Sequence, residues 1–294
     1  METLIGQLFI GLSLGSILLL VALGLSLTFG QMGVINMAHG EIMMAGSYTA
    51  YVIGTGMGSS GASLLVSFIV GAAVGALIGG LLEILLISRM YDRPLDTLLV
   101  TFGVALIMQQ LARQIFGAPA VSVTPPSWLL GEISVLGAAV PKARVFILVL
   151  AVVAVLAVTG AMRMTPLGRR IRAVIDNRQL AVTSGISSRR TDLSTFMIGS
   201  ALAGIAGVAL TLIGPVSPML GQSYIVDAFL VVVVGGLGQI KGAVIAAFGL
   251  GLLNSFIEFG TTASTAKVLV FLVVIVFLQV RPQGLFTVKT RSLA

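Results

Sequence analysis

MRMTPLGRRIRAVIDNRQLAVTSGISSRRTDL, residues 162–193, is the one long charged stretch in an apolar chain, and runs greasy enough to cross a membrane flank it on both sides. Its seven arginines (Arg163, Arg169, Arg170, Arg172, Arg178, Arg189 and Arg190) stand against two acids, Asp176 and Asp192, a net charge of +5. Short loops with such an excess of Lys and Arg stay in the cytoplasm. From Leu167 to Ala181 the stretch reads as one amphipathic helix, with Leu167, Ile171, Val174, Ile175 and Leu180 roughly on one face and arginines on the other. A basic helix presented between two spans is a handle for a soluble partner.

Outward from this loop the composition agrees. With 57% hydrophobic and 9% charged residues and a mean hydropathy of +1.11, the chain is no ordinary soluble domain, in which roughly a quarter of residues are charged. It reads as a polytopic membrane protein. The formal charge of +7 is concentrated in the loop and the tail (Arg281, Lys289, Arg291), so orientation in the membrane accounts for it without nucleic acid. The absence of cysteine excludes disulfides and thiolate metal sites, and a single histidine excludes a multi-His metal site. No cofactor is expected. The opening METLIGQLF lacks the basic region of a cleavable signal, so the first apolar run is expected to be a retained span. The polar stretches, 162–193 and 118–144, are too short to bury a core of their own, which makes 1–294 a single membrane domain carrying a cytoplasmic loop at 163–192.

Windows of about 20 apolar residues, enough for roughly 30 Å of hydrocarbon, fall near 4–29, 62–88, 97–117, 144–162, 193–213, 242–259 and 266–280. Two more, 41–54 and 225–238, are too short alone, and each adjoins an irregular stretch: GQMGVINMAHGE (30–41) and GPVSPMLGQSY (214–224), the latter followed by GGLGQIKG (235–242). Short or Gly/Pro-interrupted segments at matching places in two halves point to a transport site made of broken helices. The predicted fold is therefore an all-α transmembrane bundle of eight to nine segments, some short or broken, in an order that admits an inverted repeat. With loop and tail inside, the N-terminus is outside, the turn at 89–96 (Arg89, Asp92, Arg93, Asp96) inside, and Trp128 with Pro125 and Pro126 outside. Gly71, Gly75 and Gly79, and Gly199, Ala203 and Gly207, are spaced for close helix packing.

Enzyme motifs are missing. There is no GxxxxGK[ST] phosphate loop, since Lys241 follows Ile240, and His39 with Glu41 is no zinc site without further ligands. His39 is read either as a hydrogen-bonded structural residue or as a contact for the permeating molecule. Acids inside membranes are functional suspects, and here Glu83 and Glu258 lie near the ends of their spans. Glu41 and Asp227 instead stand at the starts of the two short segments, where they either cap helices or flank the permeation path together with Asn36, His39, Ser47, Tyr48, Gln109, Gln110, Ser223 and Tyr224. No ionisable relay suited to proton coupling stands out, so the work of transport is expected from a partner.

Three segments, GLSLTFGQMGVINMAHGEIMMAGSYTAY (24–51), TPLGRRIRAVIDNRQLAVTSGIS (165–187) and RPQGLF (281–286), resemble the permeases of the branched-chain amino acid class of ABC importers, a likeness that covers nearly the whole chain. Within that class YDRPLDTLLVTFGVALIMQQ (91–110), IFGAPAVSVTPPSWLLG (115–131) and QSYIVDAFLVVVVGGLG (222–238) look most like the urea permease. The resemblance implies a heterodimer with a second related permease in the bacterial inner membrane, two cytoplasmic ATPase subunits, and an extracytoplasmic binding protein. It implies that 165–187 is a coupling helix, with Arg169, Arg170, Arg172, Asp176, Arg178, Ala181 and Gly185 as its ATPase-coupling residues; Ala181 and Gly185 stand where the family places an alanine and a glycine. Thr183 and Ser184 depart from the pattern by adding polarity before that glycine. Urea is the expected substrate, branched-chain amino acids are the alternative, and a passive urea channel or secondary carrier is the reading from a different class.

Overall fold

The computed structural model describes residues 2–91, 93–135 and 137–286; Asp92, Lys289 and Arg291 of the charge pattern lie outside the described residues. Eleven helices follow one another: α1 Glu2–Met32, α2 His39–Met57, α3 Gly61–Leu85, α4 Pro94–Phe116, α5 Lys142–Met164, α6 Pro166–Asp176, α7 Arg178–Thr183, α8 Ser188–Leu210, α9 Leu220–Gly235, α10 Ile240–Gly260 and α11 Ala263–Val280. Seven of them (α1, α3, α4, α5, α8, α10 and α11) are long and apolar enough to span a membrane, and α9 is apolar but only 16 residues long. Every expected segment is a helix, and the architecture is a polytopic helical bundle.

Local signals set several boundaries. A reciprocal capping box between Ser60 and Ser63 opens α3, and Pro94 and Pro166 occupy first-turn positions of α4 and α6, where a missing N–H costs nothing. The second short segment begins at Leu220 rather than near 225, so Ser223 and Tyr224 lie on α9 itself.

At the centre α1 and α8 run antiparallel, with Gly24 against Gly199 and Gln31 bonded to Asp192 and Thr195. The run Ile17–Leu23 on α1 is wholly buried. On the flanks α10 packs antiparallel to α1, where Ser255 Oγ donates to Gln7 O at 2.8 Å, and α3 packs on α8. Gly204 permits that packing: a Cβ there would lie 2.9 Å from the carbonyl carbon of Gly71. The peripheral α4, α5 and α11 leave apolar side chains such as Leu99, Leu156 and Ile275 exposed, as suits lipid or a neighbouring subunit.

The order long helix, irregular re-entrant stretch, short helix, two further helices occurs twice, as α1–α4 and as α8–α11. Because α1 and α8 are antiparallel, the two sets are inverted relative to each other. The short helices α2 and α9 meet near their N-termini, where Gly40 and Gly221 touch backbone to backbone.

Two corrections concern the connections. The expected single amphipathic helix is broken into α6 and α7 at Asn177, whose backbone is extended (φ −158°, ψ 103°) and whose Oδ1 accepts from Leu180 N to cap α7. Capping by Asn outweighs the modest helical preference of its neighbours, and the break turns Leu180 outward. The stretch after α4 also holds an antiparallel hairpin, β1 Glu132–Val135 with β2 Ala138–Pro141, which hydropathy did not foresee. It shares one end of the bundle with Trp128, whose ring lies 5.5 Å from that of Phe146. The turn at 87–91, α6–α7 and the tail, where Leu285 N donates to Val234 O at 2.8 Å, gather at the opposite end.

Candidate functional site

The path candidates fall into two groups. The first is sealed around the start of α2. Asn36 Oδ1 accepts from Ala38 N at 3.0 Å and shapes the turn into the helix, and Thr101 Oγ1 accepts from Met37 N at 3.1 Å to hold the re-entrant stretch against α4. His39 is fully buried, with Nε2 3.3 Å from Val21 O. Glu41, also buried, accepts from Gln109 Nε2 at 2.8 Å, which ties α2 to α4. Ser47 Oγ donates to Gly207 O at 2.8 Å and ties α2 to α8. Tyr48 stacks on Phe116 with ring centroids 4.2 Å apart. These contacts are mainly architectural. Four polar atoms nevertheless lack a hydrogen-bond partner among the described residues: Asn36 Nδ2, His39 Nδ1, Glu41 Oε2 and Tyr48 Oη. Buried polar atoms are rarely left so, and the same holds for Glu83 Oε2 and Ser200 Oγ elsewhere in the bundle. Gln110 is exposed on the face of α4 away from Gln109 and does not join it.

The second group is open. Ser223, Tyr224 and Asp227 on α9 line a cavity of about 190 Å³ between α1, α9, α10 and α11. Two residues absent from the sequence expectation complete it: Asn254 on α10 and Lys267 on α11. Lys267 Nζ lies 3.4 Å from Asp227 Oδ2. The signal for Lys267 was present, a lone cation inside an apolar span, but a hydropathy window averages it away. Asp227 therefore faces a cation in a cavity rather than capping α9, whereas Glu41 lies in the first turn of α2.

At the loop end a polar chain joins four helices. Arg178, on α7, pairs with both oxygens of the fully buried Asp192 on α8. Gln31, at the end of α1, donates through Nε2 to Asp192 Oδ1 at 2.6 Å and accepts from Thr195 Oγ1. The Arg178 guanidinium also stands 5.2 Å from the centroid of the Tyr91 ring, and Tyr91 Oη donates to Glu83 Oε1 on α3 at 2.7 Å. Burial first, and then the Glu83 carboxylate, raise the Tyr91 hydroxyl above its ordinary range, so it stays a donor. Gln31 and Tyr91 are further residues that sequence reasoning missed; for Gln31 a partner 161 positions away leaves no local trace.

The remaining loop residues divide by face. Arg169, Arg170, Arg172 and Asp176 are exposed, whereas Ile171 and Val174 are buried beneath them. Ala181 is buried. Ile186 N donates to Ala181 O and Gly185 N to Val182 O, both at 3.0 Å, and Gly185 has φ +84°. This is a Schellman close to α7, and glycine is there because the left-handed position requires it.

The family described as "Branched-chain amino acid transport system / permease component" matches residues 7–278. The high-affinity branched-chain amino acid transport system permease protein LivH of Salmonella typhimurium is 30% identical over 289 residues, covering 95% of this chain and 94% of that protein. Its counterpart BraD of Pseudomonas aeruginosa is 29% identical over the same shares. The ribose import permease protein RbsC of Bacillus subtilis is 35% identical over 98 residues, 31% of this chain and 30% of that protein. No solved structure gives a significant match. A bundle of seven spans and two short helices, matched along nearly its whole length, belongs to the family of membrane permease components of branched-chain amino acid transport systems.

Proposed function

We propose that the chain is a permease subunit of an ABC importer in the bacterial inner membrane that carries branched-chain amino acids. In this reading it pairs with a second related permease, two cytoplasmic ATPase subunits drive it, and an extracytoplasmic binding protein supplies the solute. The observation that carries the proposal is the link between the loop and the bundle. The exposed arginines of α6 offer a docking face, and Arg178 joins the same loop through Asp192 to the end of α1, the helix from which the first re-entrant stretch departs. A partner that binds one arrangement of the loop better than another biases the bundle between two states. The central loop and the tail are then cytoplasmic, and the hairpin end external. Relatives matched over 94% of their length support the substrate, since their names are those of branched-chain amino acid permeases.

A second reading, urea as the solute, is supported by the likeness of the residues at 91–110, 115–131 and 222–238 to urea permeases. Purified importer in proteoliposomes decides between them: ATP- and binding-protein-dependent uptake of leucine supports the first, and of urea the second. Solute movement through the permease without ATPase subunits would place it among channels or carriers and refute both.

A further inference from the structure

The cavity between α1, α9, α10 and α11 has a divided lining: Leu14, Leu18 and Leu250 form an aliphatic wall, and Ser223, Asp227 and Lys267 a polar one. Its 190 Å³ is below the roughly 300–1,000 Å³ of common ligand pockets, which suits a small solute. We infer that Asp227 and Lys267 are a paired contact for the permeating solute, the ammonium holding its carboxylate or carbonyl oxygen and the carboxylate holding its ammonium or amide N–H. The inference rests on the importer reading and names residues that recognise the solute.

The pair is only loosely engaged. At 3.4 Å it is longer than the 2.7–2.9 Å typical of an aligned charge-assisted hydrogen bond. Lys267 Nζ reaches Ser223 O only at 3.5 Å. Both groups retain hydrogen-bonding capacity, and both border a cavity instead of packing against a wall. The pair at Asp192 is the contrast, because there Arg178 and Gln31 occupy both carboxylate oxygens and the acid is fully buried. One pair holds the structure together, and the other is available to a ligand. Charged side chains on spans face the bundle interior or a water-filled cavity and mark solute routes. Two opposite charges give the cavity no net charge, so it suits a molecule that is neutral overall yet has a donor end and an acceptor end. Zwitterionic leucine and urea share this chemistry, and the aliphatic wall adds a surface for the leucine side chain.

The test uses the complete importer in proteoliposomes with ATP, and leucine and urea as separate probes. Ser223→Cys supplies the only thiol of this subunit, since the chain has no cysteine; the transported probe is expected to slow its labelling by a methanethiosulfonate reagent about tenfold, whereas the other does not. Asp227→Ala and Lys267→Ala should each raise KM about tenfold, the loss of one charged contact, while co-purification of the ATPases is unchanged. The double variant Asp227→Asn, Lys267→Gln separates the solutes: amides still pair with urea, so its uptake survives, but leucine uptake is lost. If wild type carries neither probe, both substrate readings fall, and with them the site as a contact for either solute. If it carries one, but labelling is unprotected and both KM values stay within about twofold, the site falls and the importer reading stands. The labelling arm keeps both charges, so it decides even where the alanine variants fail to assemble.

Discussion

Arg178→Ala is expected to destabilise the protein more than Asp192→Asn, although each removes the same ion pair. The Asp192 side chain is fully buried, whereas that of Arg178 is 41% exposed. Deleting the arginine strands a carboxylate in the interior, which for a fully buried pair costs about 3–5 kcal/mol. Water entering beside the half-exposed position reduces this to roughly 2–3 kcal/mol, and loss of the Tyr91 contact adds about 0.5–1 kcal/mol. Asp192→Asn instead frees the guanidinium into solvent and leaves an amide that still meets Gln31. Its cost is the gap between a charged and a neutral hydrogen bond, about 1–1.5 kcal/mol. The double variant has no stranded charge, so it should be less damaged than the two single losses added together, by roughly 1–2 kcal/mol. Unfolding by SDS in mixed micelles, followed through helix circular dichroism, measures all four proteins. Additivity within about 0.5 kcal/mol, or a larger loss for Asp192→Asn, would refute the reasoning.

Three further outcomes are expected. Reversing the charge at Arg169, Arg170 and Arg172 should abolish co-purification of the ATPase subunits yet change stability by less than about 0.5 kcal/mol, because all three are exposed; retained co-purification removes α6 as the docking face. Asp227→Asn should impair uptake more than Glu83→Gln, since a glutamine oxygen still accepts from Tyr91 whereas the cavity loses a charge; equal uptake counts against the placement of Asp227. Gly204→Ala should cost about 1–3 kcal/mol by overpacking, because the added methyl would meet the Gly71 carbonyl; an unchanged SDS midpoint contradicts that packing.

The nine helical segments were legible because a bilayer demands long apolar runs, and the two short ones betrayed themselves through flanking Gly and Pro. The break at Asn177 was not, since a side-chain cap is a local hydrogen bond that hydrophobic periodicity does not record. The hairpin at 132–141 escaped for a similar reason: two four-residue strands are too short for a clear alternating pattern. Within the site, sequence supplied Asp227 and Ser223, but not Asn254 or Lys267, which tertiary packing brings to them from two other helices. Glu41 and Gln109 were both singled out, yet only the folded chain joins them across 68 positions.

At Gly40 and Gly221 the two inverted sets touch through bare main chain. Where side chains interlock like gear teeth, sliding one helix past another means lifting them out of register. A joint between two glycines has no teeth. With only Glu41 and Ile225 reaching in beside it, such a joint suits a pivot between the two sets, at which few rotamers would have to change.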